Sequence, residues 1–122
     1  MPPQSNQFTQ FLKEKAGDSL RLVVEFTDDA YTAEYVRRDI AQRYSNDEIH
    51  SIIDDACEYA DITHSDTVIE AAGDLHCQVV CFENVVSLVF PRAQANMPVN
   101  LDPTAAQNLH SFASACTNVL QE

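Results

Sequence analysis

The spacing of apolar positions changes period several times along this chain. Phe8, Phe11 and Leu12 fall on one helical stripe, with Ser5 placed to cap the helix. Gly17 follows where a left-handed residue would end it, and Lys13 and Lys15 suit the negative end of the helix dipole. From Leu20 the period becomes two. Leu20, Leu22, Val24 and Phe26 are predicted on one face of a strand, and Arg21, Val23, Glu25 and Thr27 on the other. Asp28-Asp29-Ala30 predicts a turn. Tyr31 to Arg37 reads as the returning strand, with Tyr31, Ala33 and Tyr35 alternating against Thr32, Glu34 and Val36.

Asp39 to Tyr44 predicts a helical turn. Ser45 with Glu48 three residues on forms a capping box, and Ile49, Ile52, Ile53, Ala56, Cys57 and Ala60 follow at helix spacing. Residues 61–72 fit neither period clearly; Thr67 to Ala71 suits a short helix or a strand. Leu75 to Phe90 carries two β-rich runs around Glu83-Asn84, the pattern of a hairpin, and Pro91 is expected to end it. Val99 to Leu101 suits a short further strand. Asp102-Pro103 is expected to open a last helix, with Asp102 as N-cap and Ala105, Leu109, Phe112, Cys116 and Val119 as its buried stripe. The predicted order is α-β-β-α-β-β-(β)-α. It describes one α+β domain over residues 1–122, an antiparallel sheet of four to five strands with helices on its faces.

Charge changes this picture more than composition does. The chain has 122 residues, 45% of them hydrophobic, enough for a packed core, yet its net charge is −12. From Tyr44 to Pro91 there is no Lys or Arg, while Asp47, Glu48, Asp54, Asp55, Glu58, Asp61, Asp66, Glu70, Asp74 and Glu83 all fall there. Such a field repels nucleic acid and anionic membrane surfaces. It also repels itself, a cost that largely vanishes at molar salt, where the Debye length is about 3 Å. A salt-rich cytosol is therefore the expected solvent. The N-terminal Met1-Pro-Pro-Gln-Ser has neither a basic nor an apolar region of a signal peptide, and no apolar run approaches the roughly 20 residues of a membrane span, so a cytoplasmic location is expected. Cys57, Cys77, Cys81 and Cys116 are accordingly expected as free thiols.

The element order resembles the roadblock fold, a profilin-like architecture, and GDLHCQVVCFENVVSLVF resembles the central hairpin of such domains. The stretches AGDSLRLVVEF, YVRRDIAQRYS and GDLHCQVVCFENVVSLVFP resemble small acidic haloarchaeal proteins of unknown function. The resemblance implies a five-stranded antiparallel sheet with one helix on one face and two on the other. It also implies a role as a dimeric regulator of GTPases or a scaffold. The helix after the second strand would form the dimer seam. Here its solvent face is Asp47, His50, Ser51, Asp54, Asp55 and Glu58, which repels its own copy except at high salt.

Candidate chemistry is sparse. Cys77 and Cys81, four residues apart on a strand, stand about 13 Å from each other and cannot share one zinc ion. The cysteines read as small buried hydrophobes, with a strand cysteine meeting Cys116 as the one route to a site. His76 reads as a half-buried histidine without a nucleophile or orienting partner; His64 and His110 have no sequence partner. His50 and Asp54, one helical turn apart, are spaced to share a divalent ion, but the acidic face reads first as a solvated surface. Two glycines far apart cannot build a phosphate loop, and there is no nucleophile elbow. Arg37 and Arg38 alternate across their strand and are expected to pair with the acidic middle of the chain.

No catalytic residue, metal or cofactor is therefore expected. The reading is a non-catalytic protein-interaction or regulatory module, expected as a homodimer, with candidate contacts His76, Gln78, Val80, Phe82, Glu83 and Asn84. The alternative is a sensory domain binding a small ligand between sheet and helix, with His76 or Tyr35 at the mouth; a thiol enzyme using His76 is a third. If the acidic surface is tuned to brine, the midpoint of thermal unfolding rises between low and molar KCl; a midpoint that stays level over that range removes this reading.

Overall fold

The computed structural model describes residues 3–27, 30–60, 65–92, 95–106 and 109–121. Helix α1 (Pro3–Ala16) leads through a 3-10 turn (Gly17–Ser19) into strands β1 (Leu20–Thr27) and β2 (Ala30–Val36). Three helices follow: α2 (Arg38–Arg43), α3 (Asn46–Ala60) and α4 (Asp66–Ala72). Strands β3 (Gln78–Cys81), β4 (Val86–Pro91) and β5 (Asn96–Leu101), a 3-10 turn (Pro103–Ala106) and helix α5 (Leu109–Gln121) complete the order. The five strands form one sheet in the order β2-β1-β5-β4-β3, antiparallel throughout. Among the described residues no helix is long and apolar enough to cross a membrane.

Much of the local prediction holds. Gly17 turns the chain out of α1 at φ +56°, a conformation that costs glycine little. The capping box is reciprocal: the Glu48 N–H donates to Ser45 Oγ at 3.1 Å and the Ser45 N–H to Glu48 Oε1 at 2.8 Å. The hairpin closes around Glu83-Asn84, with the Phe82 N–H donating to the Val85 carbonyl at 2.8 Å. The ambiguous segment resolves as helix α4, whose Ser65 Oγ accepts from the Val68 N–H at 3.2 Å. The turn predicted at Asp28-Asp29 lies outside the described residues, as do residues 61–64 and the side chain of Ser5; α1 itself already begins at Pro3.

Four predictions change. Leu20 does not share a face with Leu22. A register shift between them against β5 puts one extra residue, Arg21, into β1, and one extra residue exchanges the two faces. Leu20 thus joins Val23 in one core cluster, while Leu22 and Val24 join the other. A second shift, between Val23 and Val24 against β2, makes Glu34 the extra residue, so Tyr31 and Tyr35 pack against opposite clusters. Third, Val99 to Leu101 is no marginal strand but part of β5, which runs from Asn96 between β1 and β4. Pro91 ends the hairpin as expected: it is the last residue of β4 and pairs with Asn96. Fourth, Asp102 does not cap a helix. Pro103 opens a 3-10 turn, and the Asp102 carboxylate accepts from Arg21 Nη1 at 3.0 Å and Arg37 Nη1 at 2.7 Å. Arg37 therefore pairs with Asp102 and Asp39 rather than with the acidic middle of the chain.

The two sheet faces are covered unequally. Helices α1 and α5 together cover one, burying Phe8, Leu12, Phe112, Cys116 and Leu120 against Val23, Leu88, Phe90, Met97 and Val99. The Phe8 ring meets Phe90 edge-on, centroids 5.5 Å apart. Among the described residues helix α3 is the main cover of the other, setting Ile49, Ile53 and Cys57 against Leu22 and Val24.

Two groups make stability depend on pH in opposite directions. The hydrogen bond from Arg37, aided by one from Arg21, holds the Asp102 carboxyl below its usual range against the opposing effect of burial. A depressed folded pKa contributes stability above the unfolded value, lost as pH falls through the folded one. Asp102→Asn should cost about 1–2 kcal/mol in urea unfolding at neutral pH, and nothing once Asp102 is protonated. Burial, then repulsion from Glu25, raises the Glu34 carboxyl, so its ionised form opposes folding. Glu34→Gln should stabilise the domain by under about 1 kcal/mol at neutral pH, with the gain gone below about pH 4.

Candidate interaction groove and sheet edge

The unequal cover creates the candidate site. Five strands spaced about 4.8 Å apart span about 19 Å between the outer two, whereas a helix with its side chains is about 10 Å across. One helix cannot cover that width. Helix α3 runs over β5 and β4 and reaches the side chains of Leu22 and Val24 in β1, and a groove of about 450 Å³ remains between α3 and the β3–β4 hairpin. Ile52 and Ala56 of α3 form one wall with Ile40 of α2 and Tyr44 just after it; Val80, Phe82, Val85 and Val89 form the other. Alternation along β3 places Gln78 and Val80 on this face, paired with Val89 and Ser87 of β4.

The floor is polar in two places. Ser87 Oγ donates to Asn100 Oδ1 at 2.7 Å in a buried pair. Gln78 Oε1 is buried with no hydrogen-bond partner. At one end stands Arg21, already bound to Asp102, and at the rim stands the exposed Asp55. Arg21 and Arg37 are matched by Asp102 and Asp39, so this end of the groove is charge-balanced.

Of the six predicted contact residues, the structure gathers Gln78, Val80 and Phe82 in the groove. Glu83 and Asn84 form the exposed hairpin tip beside it. His76 goes elsewhere. It precedes β3, is exposed rather than half-buried, and borders a separate hollow of about 410 Å³ with Arg92, Thr117 and Gln121. Neither His76 nor Tyr35 lies at the mouth of the groove; Tyr35 packs on the opposite face, under Lys13, whose Nζ is 5.0 Å from its ring centre. His64 and the side chain of His110 lie outside the described residues.

The edge strand is the second feature. Among the described residues β3 pairs only with β4. Because the Phe82–Val85 pair is hydrogen-bonded, the alternation of an antiparallel ladder makes Val80–Ser87 and Gln78–Val89 bonded pairs too. The N–H groups of Val79 and Cys81 therefore point to the open edge. Around this edge lie all five exposed large hydrophobic side chains among the described residues: Val68 and Ile69 of α4, Leu75, Val79 and Phe82, the last 50% exposed. No single period marks them, since they come from a helix, a loop and a strand. The sequence signal available was the absence of any helix long enough to cover the hairpin.

The thiols divide. Cys57 and Cys116 are buried as small hydrophobes, Cys77 is half-buried, and Cys81 is exposed, because nothing described covers that end of β3. Burial pushes the Cys77 thiol up to about 11 and that of Cys116 to about 12, where nearby Cys77 adds to the effect. Both are therefore protonated, and weak nucleophiles, at neutral pH. His50 Nε2 lies 3.2 Å from Asp54 Oδ2 and its ring meets Tyr31 edge-on, but no third ligand joins them; among the described residues no three metal-binding side chains converge.

Two solved structures share this architecture. One, described as MglB with tetrameric arrangement, aligns with a TM-score of 0.50 at 13% identity, covering 99% of this chain and 93% of that one. The other, the gliding protein MglB from Thermus thermophilus, aligns with a TM-score of 0.54 at 11% identity, covering 98% and 90%. At such identities the likeness speaks for the fold alone, a roadblock-like α+β domain. No curated protein matches the chain in sequence. A family model described as a domain of unknown function, DUF7522, matches residues 6–121, and the chain belongs to that family.

Proposed function

We propose that this domain is a non-catalytic protein-interaction module of a salt-rich cytoplasm, and that its contact surface is the β3 end of the sheet. The observation that carries this reading is the gathering of exposed apolar side chains around an unpaired edge strand. Exposed edges attract another strand, and proteins usually blunt them with charge or proline; β3, with the sequence Gln-Val-Val-Cys, has neither. A second copy of this chain is the simplest partner, adding its own β3 antiparallel to the first. The tetrameric arrangement described for MglB is in keeping with a fold that self-associates. The acidic face of α3 opposes that approach at low ionic strength and ceases to do so when salt screens it.

A second reading has its own support. The groove between α3 and the hairpin falls within the usual size range of small-molecule sites and combines apolar walls with a few polar groups.

Light scattering tests the first reading. The wild-type chain should be a dimer in molar KCl and shift towards monomer at low salt. Val79→Pro removes an N–H that points outward, so it should leave the hairpin folded yet hold the chain monomeric. A wild type that is monomeric at every salt concentration, or a Val79→Pro variant that associates as well as the wild type, refutes pairing through β3.

A further inference from the structure

The geometry points to an uncharged ligand for the groove: a small, mainly apolar molecule carrying one hydroxyl group, recognised by the Gln78 amide. This rests on the second reading above and adds the class of ligand. Three observations carry it. The walls are aliphatic and aromatic, so most of the ligand's surface must be apolar. The charges at the Arg21 end are already matched within the chain, so among the described residues no unmatched cation lines that end for an anionic head group, and Asp55 at the rim repels one. The Gln78 side chain on the floor keeps a buried oxygen with no partner, a costly arrangement that a ligand can relieve.

A hydroxyl suits Gln78 for a geometric reason. The last torsion of a glutamine side chain is broad and turns at small cost. Either the amide N–H or its oxygen can then face the groove, and a hydroxyl group both donates and accepts. A carboxylate can only accept and an ammonium can only donate, and each would shed its hydration against apolar walls. Ser87 is less suited to this role because its proton is already given to Asn100.

Four probes of one shape make the test: benzyl alcohol, toluene, benzoate and benzylammonium, titrated into the full chain in molar KCl and followed by the backbone amide signals of Ile52, Gln78 and Val80. Benzyl alcohol should bind about fivefold tighter than toluene, the worth of one neutral hydrogen bond. Benzoate and benzylammonium should bind more weakly than the alcohol. In Gln78→Leu the preference for alcohol over toluene should vanish while toluene binding is kept, which separates loss of recognition from loss of the groove. The same series on Val79→Pro should be unchanged. If all four probes leave these signals unmoved, the ligand-binding reading itself fails. If toluene binds but Gln78→Leu keeps the alcohol preference, or a charged probe binds best, only the recognition by Gln78 fails. If binding appears in Val79→Pro but not in the associated wild type, the groove is closed by the second copy and the inference is overturned.

Discussion

The structure depends on β5 being held in the middle of the sheet. It is the last strand in the chain, yet it joins β1–β2 to β4–β3, pairing with β1 on one side and β4 on the other. Met97, Val99 and Leu101 are fully buried beneath α1 and α5, and Pro98 is fully buried on the opposite face. A proline in a central strand cannot donate to either neighbour. The ladder to β4 runs unbroken past Pro98, whereas the ladder to β1 pairs Val23 with Val99 and Phe26 with Asn96 and skips the residues between. The end of β5 is then fastened by Asp102, whose N–H donates to the Ser19 carbonyl at 2.8 Å and whose carboxylate binds Arg21 and Arg37. Three segments far apart in sequence meet there, and the two arginines join the start of β1 and the end of β2 to that point.

The functional surface follows from how the sheet is covered. Two helices fill one face, and one helix leaves the other part-bare. The hairpin carrying β3 stands at the uncovered end, so its inner face becomes a groove and its outer backbone an open edge. α4 passes nearby without closing either; every one of its side chains is exposed. Of the acidic residues of α3, Asp55 thus lies beside the apolar residues of β3 across the groove, whereas Asp54 sits with His50 towards Tyr31 of β2. Charge controls how readily another macromolecule approaches, and apolar contact area controls how firmly it stays.

Local features were readable where short-range chemistry decides them. The capping box at Ser45, the left-handed Gly17 and the two-residue connection at Glu83-Asn84 each depend on residues within four positions of one another. The site was readable only in part. Gln78, Val80 and Phe82 lie on one face because strand alternation is local, but His76 departs because β3 starts later than its β-rich composition suggested. The exposure of Cys81 could not be read from a segment whose composition suits a buried strand, since nothing local distinguishes a covered strand from an edge one.

By itself the sequence determined the period of most segments, hence an α+β fold with an antiparallel sheet, and the concentration of negative charge on α3 and its surroundings. Only the tertiary structure decided the faces of β1 and β2, because a single inserted residue in each, Arg21 and Glu34, reverses alternation and is visible only in the pairing. It also decided that Asp102 serves an arginine pair rather than a helix end, and that β5 is central while β3 is an edge. Apart from the β1–β2 register, these outcomes rest on contacts between residues scores of positions apart, where burial and pairing outweigh any preference the local chain expresses.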